Sequence, residues 1–182
     1  MLFREVIGQQ EVKQHLVEMV QHNRISHALL FLGKEGSGAL PLALAFANYV
    51  SLLPNSQAAS AQSEASLFGE PIEVKLPSTP DEADTWIQKQ ASFAKAAQMV
   101  HPDIHYSYPV VTRKAGSPPL STDYITEWRE FVQQYPYGNV YDWLQAIGAE
   151  NKQGNITAQE CNDIIRKLNL KSFESGYKIL VL

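Results

Sequence analysis

Apolar positions along this chain switch between two spacings, and the switches mark its elements. Over 10–23, Val12, Leu16, Met19 and Val20 recur at i, i+4, i+7 and i+8. That spacing gives one apolar face and predicts an amphipathic helix. After the short connection Arg24-Ile25-Ser26-His27, residues 28–32 form a continuous apolar run of strand length, as expected of a strand buried on both faces. Residues 39–52, rich in Ala and Leu, return to helix. Pro54 to Ser66 is rich in Ser, Ala and Gln without a strong period, which predicts a mobile linker-like insertion. Ile72, Val74 and Leu76 alternate with Glu73 and Lys75, the pattern of a short exposed strand.

Thr79-Pro80-Asp81-Glu82 is a helix start: Thr79 can cap, Pro80 suits the first helical position and Glu82 completes a capping box. This helix is predicted to run to about Val100 and to stop before His101-Pro102. A strand over 104–111 and a polar loop over 112–121 follow. A helix from Ser121 or Thr122 carries Tyr124, Ile125, Trp128, Phe131 and Val132; Tyr135-Pro136-Tyr137-Gly138 is a turn, and 140–147 a short helix. Thr157-Ala158-Gln159-Glu160 reads as a second capping box, ahead of Ile164, Ile165 and Leu168. A last strand covers 177–182. Strands near 28–32, 104–111 and 177–182, separated by helices, imply an α/β fold with a parallel, right-handed sheet. A strand as apolar as Ile179-Leu180-Val181-Leu182 wants neighbours on both sides, so the sequence reads as a truncated piece of a larger domain.

Composition narrows the class. At 182 residues with 45% hydrophobic and 19% charged positions, the chain is long and apolar enough for one globular core. The net charge of −4 supplies no overall attraction to phosphates, so any contact with DNA is expected only through an assembled complex. The single cysteine, Cys161, excludes an internal disulfide framework and a Cys-based zinc site, and fits a reducing cytoplasm. No run approaches the ~20 apolar residues of a membrane span.

The candidate chemistry lies at the junction of the 28–32 run and the helix after it. Gly33, Gly36 and Gly38 keep the frame of a Walker A loop, in which glycines let backbone N–H groups wrap phosphates. A working loop also needs a Lys for the β and γ phosphates and a Ser or Thr hydroxyl for Mg²⁺. Ala39 and Leu40 stand at those two positions, and Pro41 removes one of the first-turn amides that would meet an anion. Lys34 sits five residues before the lysine position, on the strand side. Gly33, Gly36, Ser37, Gly38 and Ala39 thus form a degenerate nucleotide-binding segment, expected to be vacant or to hold an anion weakly. No catalytic residue, metal ligand or cofactor is assigned. A plain glycine turn between strand and helix is the alternative that the loop alone leaves open.

The flanking segments carry a resemblance. Val6-Ile7-Gly8-Gln9 followed by a helix, then Arg24-Ile25-Ser26-His27-Ala28-Leu29-Leu30-Phe31-Leu32-Gly33, is similar to the start of bacterial clamp-loader subunits of DNA polymerase III, in the AAA+ superfamily. His101-Pro102-Asp103 before a strand, and Ile156-Thr157 with the helix leading to Gly176-Tyr177-Lys178-Ile179-Leu180-Val181, resemble the same family. With the lysine gone, the match is closer to the delta-prime subunit than to the gamma/tau ATPase. The resemblance implies the N-terminal part, 1–182, of an AAA+ P-loop NTPase three-layer sandwich, with Ile7, Gly8 and Gln9 on the adenine side of the vacant site. It implies a non-catalytic subunit, without ATPase activity of its own, of the complex that loads the sliding clamp on primed DNA. Its partners would be the other loader subunits and the clamp, in the cytoplasm. The family's Walker B, sensor, lid, collar and arginine-finger regions would follow residue 182. The family's four-Cys zinc module has no counterpart between the P-loop helix and His101, where serines at 51, 56, 60, 63 and 66 stand instead, so neither zinc nor ATP is expected. The stretch 51–95 departs from the family, and the segments 51–76 and 112–155 read as insertions, the latter an expanded loop. A gamma/tau-like ATPase with an atypical loop, and a P-loop-derived regulatory domain outside replication, are the alternatives.

The same sheet predicts a gap between 28–32 and 177–182. Either the two strands close directly or another copy of the chain pairs at the exposed edge. Other constellations have plainer readings. His101 and His105 lack a third metal-ligating group beyond Asp103, and read as solvent-facing or loop-anchoring. His15, His22 and His27 show no ligand spacing and read as surface or boundary residues. Glu82 and Asp84 read as first-turn acids of a helix. Trp86, Trp128 and Trp143 read as core rather than as a base-stacking platform, and Cys161 as structural. Ser37 lacks the G-x-S-x-G frame of a hydrolase nucleophile.

Overall fold

The computed structural model describes residues 1–53, 75–113 and 116–182. The linker expected at 54–66 and most of the strand expected at 72–76 lie outside the described residues. In chain order, the elements are a 3₁₀ turn Phe3–Glu5, α1 Gln10–Gln21, α2 Ala39–Ser51, α3 Pro80–Gln88, α4 Phe93–Ala97, β1 Ile104–Tyr106, a 3₁₀ turn Ser121–Tyr124, α5 Ile125–Gln134, α6 Val140–Ala146, α7 Ala158–Leu168 and β2 Ile179–Val181.

α2 is the axis of the molecule. A helix apolar on all sides is stable only when protein surrounds it, and ten of its thirteen residues are buried. Leu42, Ala45, Phe46, Tyr49 and Val50 face one core cluster with Phe3, Val6, Leu16, Val17, Val20, Ala83 and Ile87. Leu44 faces a second cluster, built by Ile104, Tyr106, Tyr108, Trp128, Phe131 and Trp143. In that second cluster Trp143 stands edge-on to Tyr108 and Trp128, with ring centroids 5.2 and 5.1 Å away, while Tyr108 and Trp128 stack at 4.1 Å. The indole N–H of Trp143 donates to Pro109 O at 2.8 Å. Trp86 meets Tyr49 edge-on. The three tryptophans are therefore packing residues.

β1 and β2 pair in parallel, with Ile104 opposite Ile179 and Tyr106 opposite Val181. The pairing is tied at its ends by Ile179 N–H to Asp103 O and Ser107 N–H to Val181 O. The mixed helix and strand architecture is compatible with an α/β fold, and the parallel sense agrees with the expectation. Both strands are shorter than the 104–111 and 177–182 spans expected. Beyond Tyr106 the chain leaves the sheet, and Val110 instead forms a single antiparallel bridge with Asn155.

The main correction is at 28–32, which forms no strand. Leu30 and Leu32 are 87% and 89% exposed, and only Phe31 packs against the first core cluster. A strand needs a hydrogen-bonding neighbour, and among the described residues β2 pairs with β1 alone. The 28–32 and 177–182 segments therefore do not close on each other. The helix expected to run from 80 to about 100 is also two helices, broken between Gln88 and Phe93 and ended by Met99 at φ 57°.

The buried face of α1 is turned from the expected one. Lys13, Leu16, Val17 and Val20 are buried, while Val12 is exposed. Lys13 tolerates this because its Nζ donates to Val6 O at 2.5 Å. Burial pulls its pKa down, against the pull of Asp84 and Asp81.

The two capping boxes are half-formed. Thr79 and Thr157 each accept an N–H three residues on, from Glu82 and Glu160, at 3.2 Å. Glu160 does not return to its cap, and the carboxylate of Glu82 is held chiefly by Ser78. Glu82 accepts from Ser78 N–H and Oγ, at 2.8 and 2.7 Å, and Glu160 turns into the core. A reciprocal box does form at Asn139 and Asp142, where α6 begins. α7 leaves Ile165 and Leu168 exposed.

Candidate functional site

The site is built from three stretches: segment 6–9, the glycine loop 33–38 and the turn 135–139. Gly8 and Gln9 both take positive φ, 65° and 58°, and this tight reversal launches α1. In the loop, Ser37 N–H donates to Lys34 O at 3.0 Å, and Gly36 and Gly38 take φ of 72° and 93°. At Gly33 a Cβ would lie 2.3 Å from the Ser37 hydroxyl oxygen, which would have to rotate away. Gly38 caps α2 and its carbonyl accepts Leu42 N–H at 3.1 Å. Pro41 is fully buried and has no N–H to offer, while Leu40 packs partly against the second core cluster.

Side chains from the other two stretches clamp the loop. Gln9 Nε2 donates to Ser37 O at 3.0 Å. Ile7 N–H donates to the Tyr137 hydroxyl at 2.7 Å, across 130 residues. The Tyr137 ring also lies against Gly38, where a Cβ would come within 3.1 Å of its Cε1. Asn139 Nδ2 donates to Glu35 Oε2 at 3.2 Å. A cleft of about 330 Å³ separates loop and turn, floored by Trp128, Phe131 and Trp143. Its charged lining residues among those described are Lys34 and Glu35, of opposite sign. They give the cleft no net positive field for a phosphate chain.

Of the expected site residues, Gln9 is bonded to the loop and Ile7 to Tyr137 of the turn; Gly8 lies between them, and Gly33, Gly36, Ser37, Gly38 and Ala39 all line the cleft. Sequence reasoning missed Tyr137 and Asn139, which come from the departing 112–155 segment. Gly138 was the available signal. A Cβ on it would sit 2.6 Å from Phe131 Cζ, so the glycine fixes the turn that aims Tyr137.

The remaining candidates are structural. Asp103 is fully buried and its carboxylate accepts the N–H groups of Phe173, Glu174 and Ser175, at 2.7, 2.8 and 3.0 Å. Burial pushes its pKa up. The three N–H groups and His101 outweigh that and hold the carboxyl below its usual range. His101 is 3% exposed, so it anchors a loop rather than facing solvent. Its Nδ1 accepts Asp103 N–H at 3.2 Å, and its Nε2 lies 3.9 Å from Glu174. His105 is half-buried on β1, and burial with Lys178 and Lys167 nearby lowers its pKa. No group of three or more His, Cys, Asp or Glu placed to hold a metal occurs among the described residues. Asp84 is not a surface helix acid: it is buried and accepts Phe3 N–H and Arg4 N–H, both at 2.8 Å. Cys161, read as structural, is exposed.

With that geometry in view, comparison with known proteins points first to DNA polymerase III. Residues 8–69 match the family described as "DNA polymerase III, delta subunit". The matched span covers α1, the glycine loop and α2, and so takes in most of the candidate site. The match spans about a third of the chain and supports a clamp-loader-type subunit with a role in DNA replication. No curated protein and no solved structure matches the chain. No helix among the described residues is long and apolar enough to cross a membrane.

Proposed function

We propose that this chain is a non-catalytic, delta-prime-like subunit of the replicative clamp loader, acting in the cytoplasm. It supports assembly of the complex that places the sliding clamp on primed DNA, and meets DNA only through that complex. The observation that carries the reading is the loop itself. It keeps the glycine backbone of a Walker A motif at the start of α2, inside the span matched to the family. Yet it presents Ala39, Leu40 and a buried Pro41 where charge, metal ligand and amide are needed. The parallel pairing of β1 with β2, and the packing of α2 beside β2, fit part of an AAA+ three-layer sandwich. We assign it no zinc and no ATP.

Two measurements on the full chain test this. Calorimetric titration with Mg·ATP is expected to give no heat at millimolar nucleotide; saturable, Mg²⁺-dependent binding would instead favour a gamma/tau-like ATPase. Co-purification with the other loader subunits and the clamp is expected. Its absence would favour a regulatory domain outside replication.

A further inference from the structure

We infer that Tyr137 is a built-in strap that closes the glycine loop against segment 6–9, so that the two are held together by the protein rather than by a ligand. Three side-chain contacts converge on a loop of six residues, from both sides. Tyr137 contributes two of its surfaces: the hydroxyl takes the Ile7 N–H at 2.7 Å, and the ring edge covers Gly38. Gln9 holds the Ser37 carbonyl, and Asn139 holds the Glu35 carboxylate. The Ser37 hydroxyl folds inward over Gly33.

The strap is itself supported. Gly138 N–H donates to Tyr135 O at 2.9 Å, closing the turn, and the glycine is pressed against Phe131 in the second core cluster. Asn139 caps α6 with its side-chain oxygen, through Asp142 N–H at 2.9 Å, while its amide nitrogen reaches Glu35. The residue that starts α6 therefore also ties down the loop. A ligand approaching Gly38 from the cleft would have to displace the Tyr137 ring and break its bond to Ile7. The opposite charges of Lys34 and Glu35 on the same loop give an anion no net attraction.

The inference rests on the vacant-loop part of the reading above, but its test does not involve the loader or ATP hydrolysis. Amide hydrogen exchange is followed on the full chain as wild type, Tyr137→Phe and Tyr137→Ala. Tyr137→Phe keeps the ring and removes only the acceptor. The Ile7 amide is expected to exchange about tenfold faster, the size of one lost hydrogen bond, with the amides of α2 unchanged. Tyr137→Ala is expected to speed exchange through 33–39 as well. Should Tyr137→Ala fail to fold, Gly138→Ala displaces the same turn through Phe131 and is expected to release Ile7 likewise. An Ile7 amide that exchanges at the wild-type rate in Tyr137→Phe overturns the inference. So does unchanged exchange through 33–39 in Tyr137→Ala. Failure to co-purify with loader subunits would bear on the proposed function and leave this result untouched.

Discussion

Glu160 Oε2 accepts the backbone N–H of Ser121 at 2.9 Å, joining the first turn of α7 to the start of the Ser121–Tyr124 turn. Its other oxygen takes the hydroxyls of Ser107, at 3.0 Å, and of Ser121. The residue is 2% exposed, so water cannot replace these contacts. Replacing it with Ala leaves the Ser121 N–H and the Ser107 hydroxyl short of an acceptor, while the Ser121 hydroxyl keeps Tyr106 O at 3.3 Å. Glu160→Ala is expected to cost about 3 kcal/mol, from unsatisfied buried donors at roughly 1–3 kcal/mol each with partial relaxation. Glu160→Gln, which keeps one acceptor oxygen, is expected to cost less. Urea unfolding followed by tryptophan fluorescence measures both, since Trp128 and Trp143 lie in the adjoining core. Equal stability of Glu160→Ala and wild type would show the contacts to be incidental.

A second buried carboxylate does similar work beside the first core cluster. Asp84, on α3, accepts the amides of Phe3 and Arg4 and so docks the N-terminal turn that buries Phe3. Asp84→Ala is expected to destabilise by about 1–3 kcal/mol, because the buried Phe3 amide and the part-buried Arg4 amide lose their acceptor. The amides of Phe3 and Arg4 are expected to lose exchange protection before those of α2. Loss of protection spread evenly through the chain would contradict a local docking role.

Those carboxylates show which parts of the structure could be read from the chain. Helix starts were legible because caps are local: Thr79, Thr157 and Pro80 announce α3 and α7 within four residues. The helical period of α1 was legible, but its buried face was not. The hydrophobic scale places Val12 inside and Lys13 outside, whereas the Val6 carbonyl waiting for Lys13 is a tertiary fact. The 28–32 run failed as a strand because an apolar run states a preference and not a partner. Of the candidate site, the loop and Ile7–Gln9 were visible as motifs. Tyr137 was not, because nothing within its turn reveals a contact 130 residues away.

Acid is expected to weaken the fold in two stages. Burial lowers the His101 pKa below its usual 6.5, although Asp103 and Glu174 pull it back toward protonation and Lys95 adds to the lowering. The unfolded chain then takes up the proton first, so stability present above about pH 6.5 declines as pH falls toward the folded value. Asp103, held below its usual 3.8, acts in the same direction at lower pH: its contribution is present above the unfolded value and is lost as pH falls through the folded one. The urea midpoint of wild type is expected to drop between pH 7 and 5, and again below about pH 4. Burial lowers the His105 pKa as well, so both histidines contribute to the first drop; His101→Asn is expected to reduce it, and Asp103→Asn the second. A first drop as large in His101→Asn as in wild type would contradict the assignment to His101.

Residues 28–32 supply the last prediction. They run without a strand partner among the described residues, with Leu30 and Leu32 almost fully exposed. An apolar segment with unpaired backbone groups is a template for pairing with another chain, and lysines on such an edge suppress that pairing. The isolated chain is therefore expected to self-associate through this segment, raising its weight-average mass above the 20.4 kDa of one copy as concentration increases. Leu30→Lys combined with Leu32→Lys is expected to hold the mass near one copy without lowering stability, since neither side chain is buried in the monomer. Sedimentation or light scattering across a concentration series reads the difference. If the double variant associates as strongly as wild type, the contact lies elsewhere on the surface.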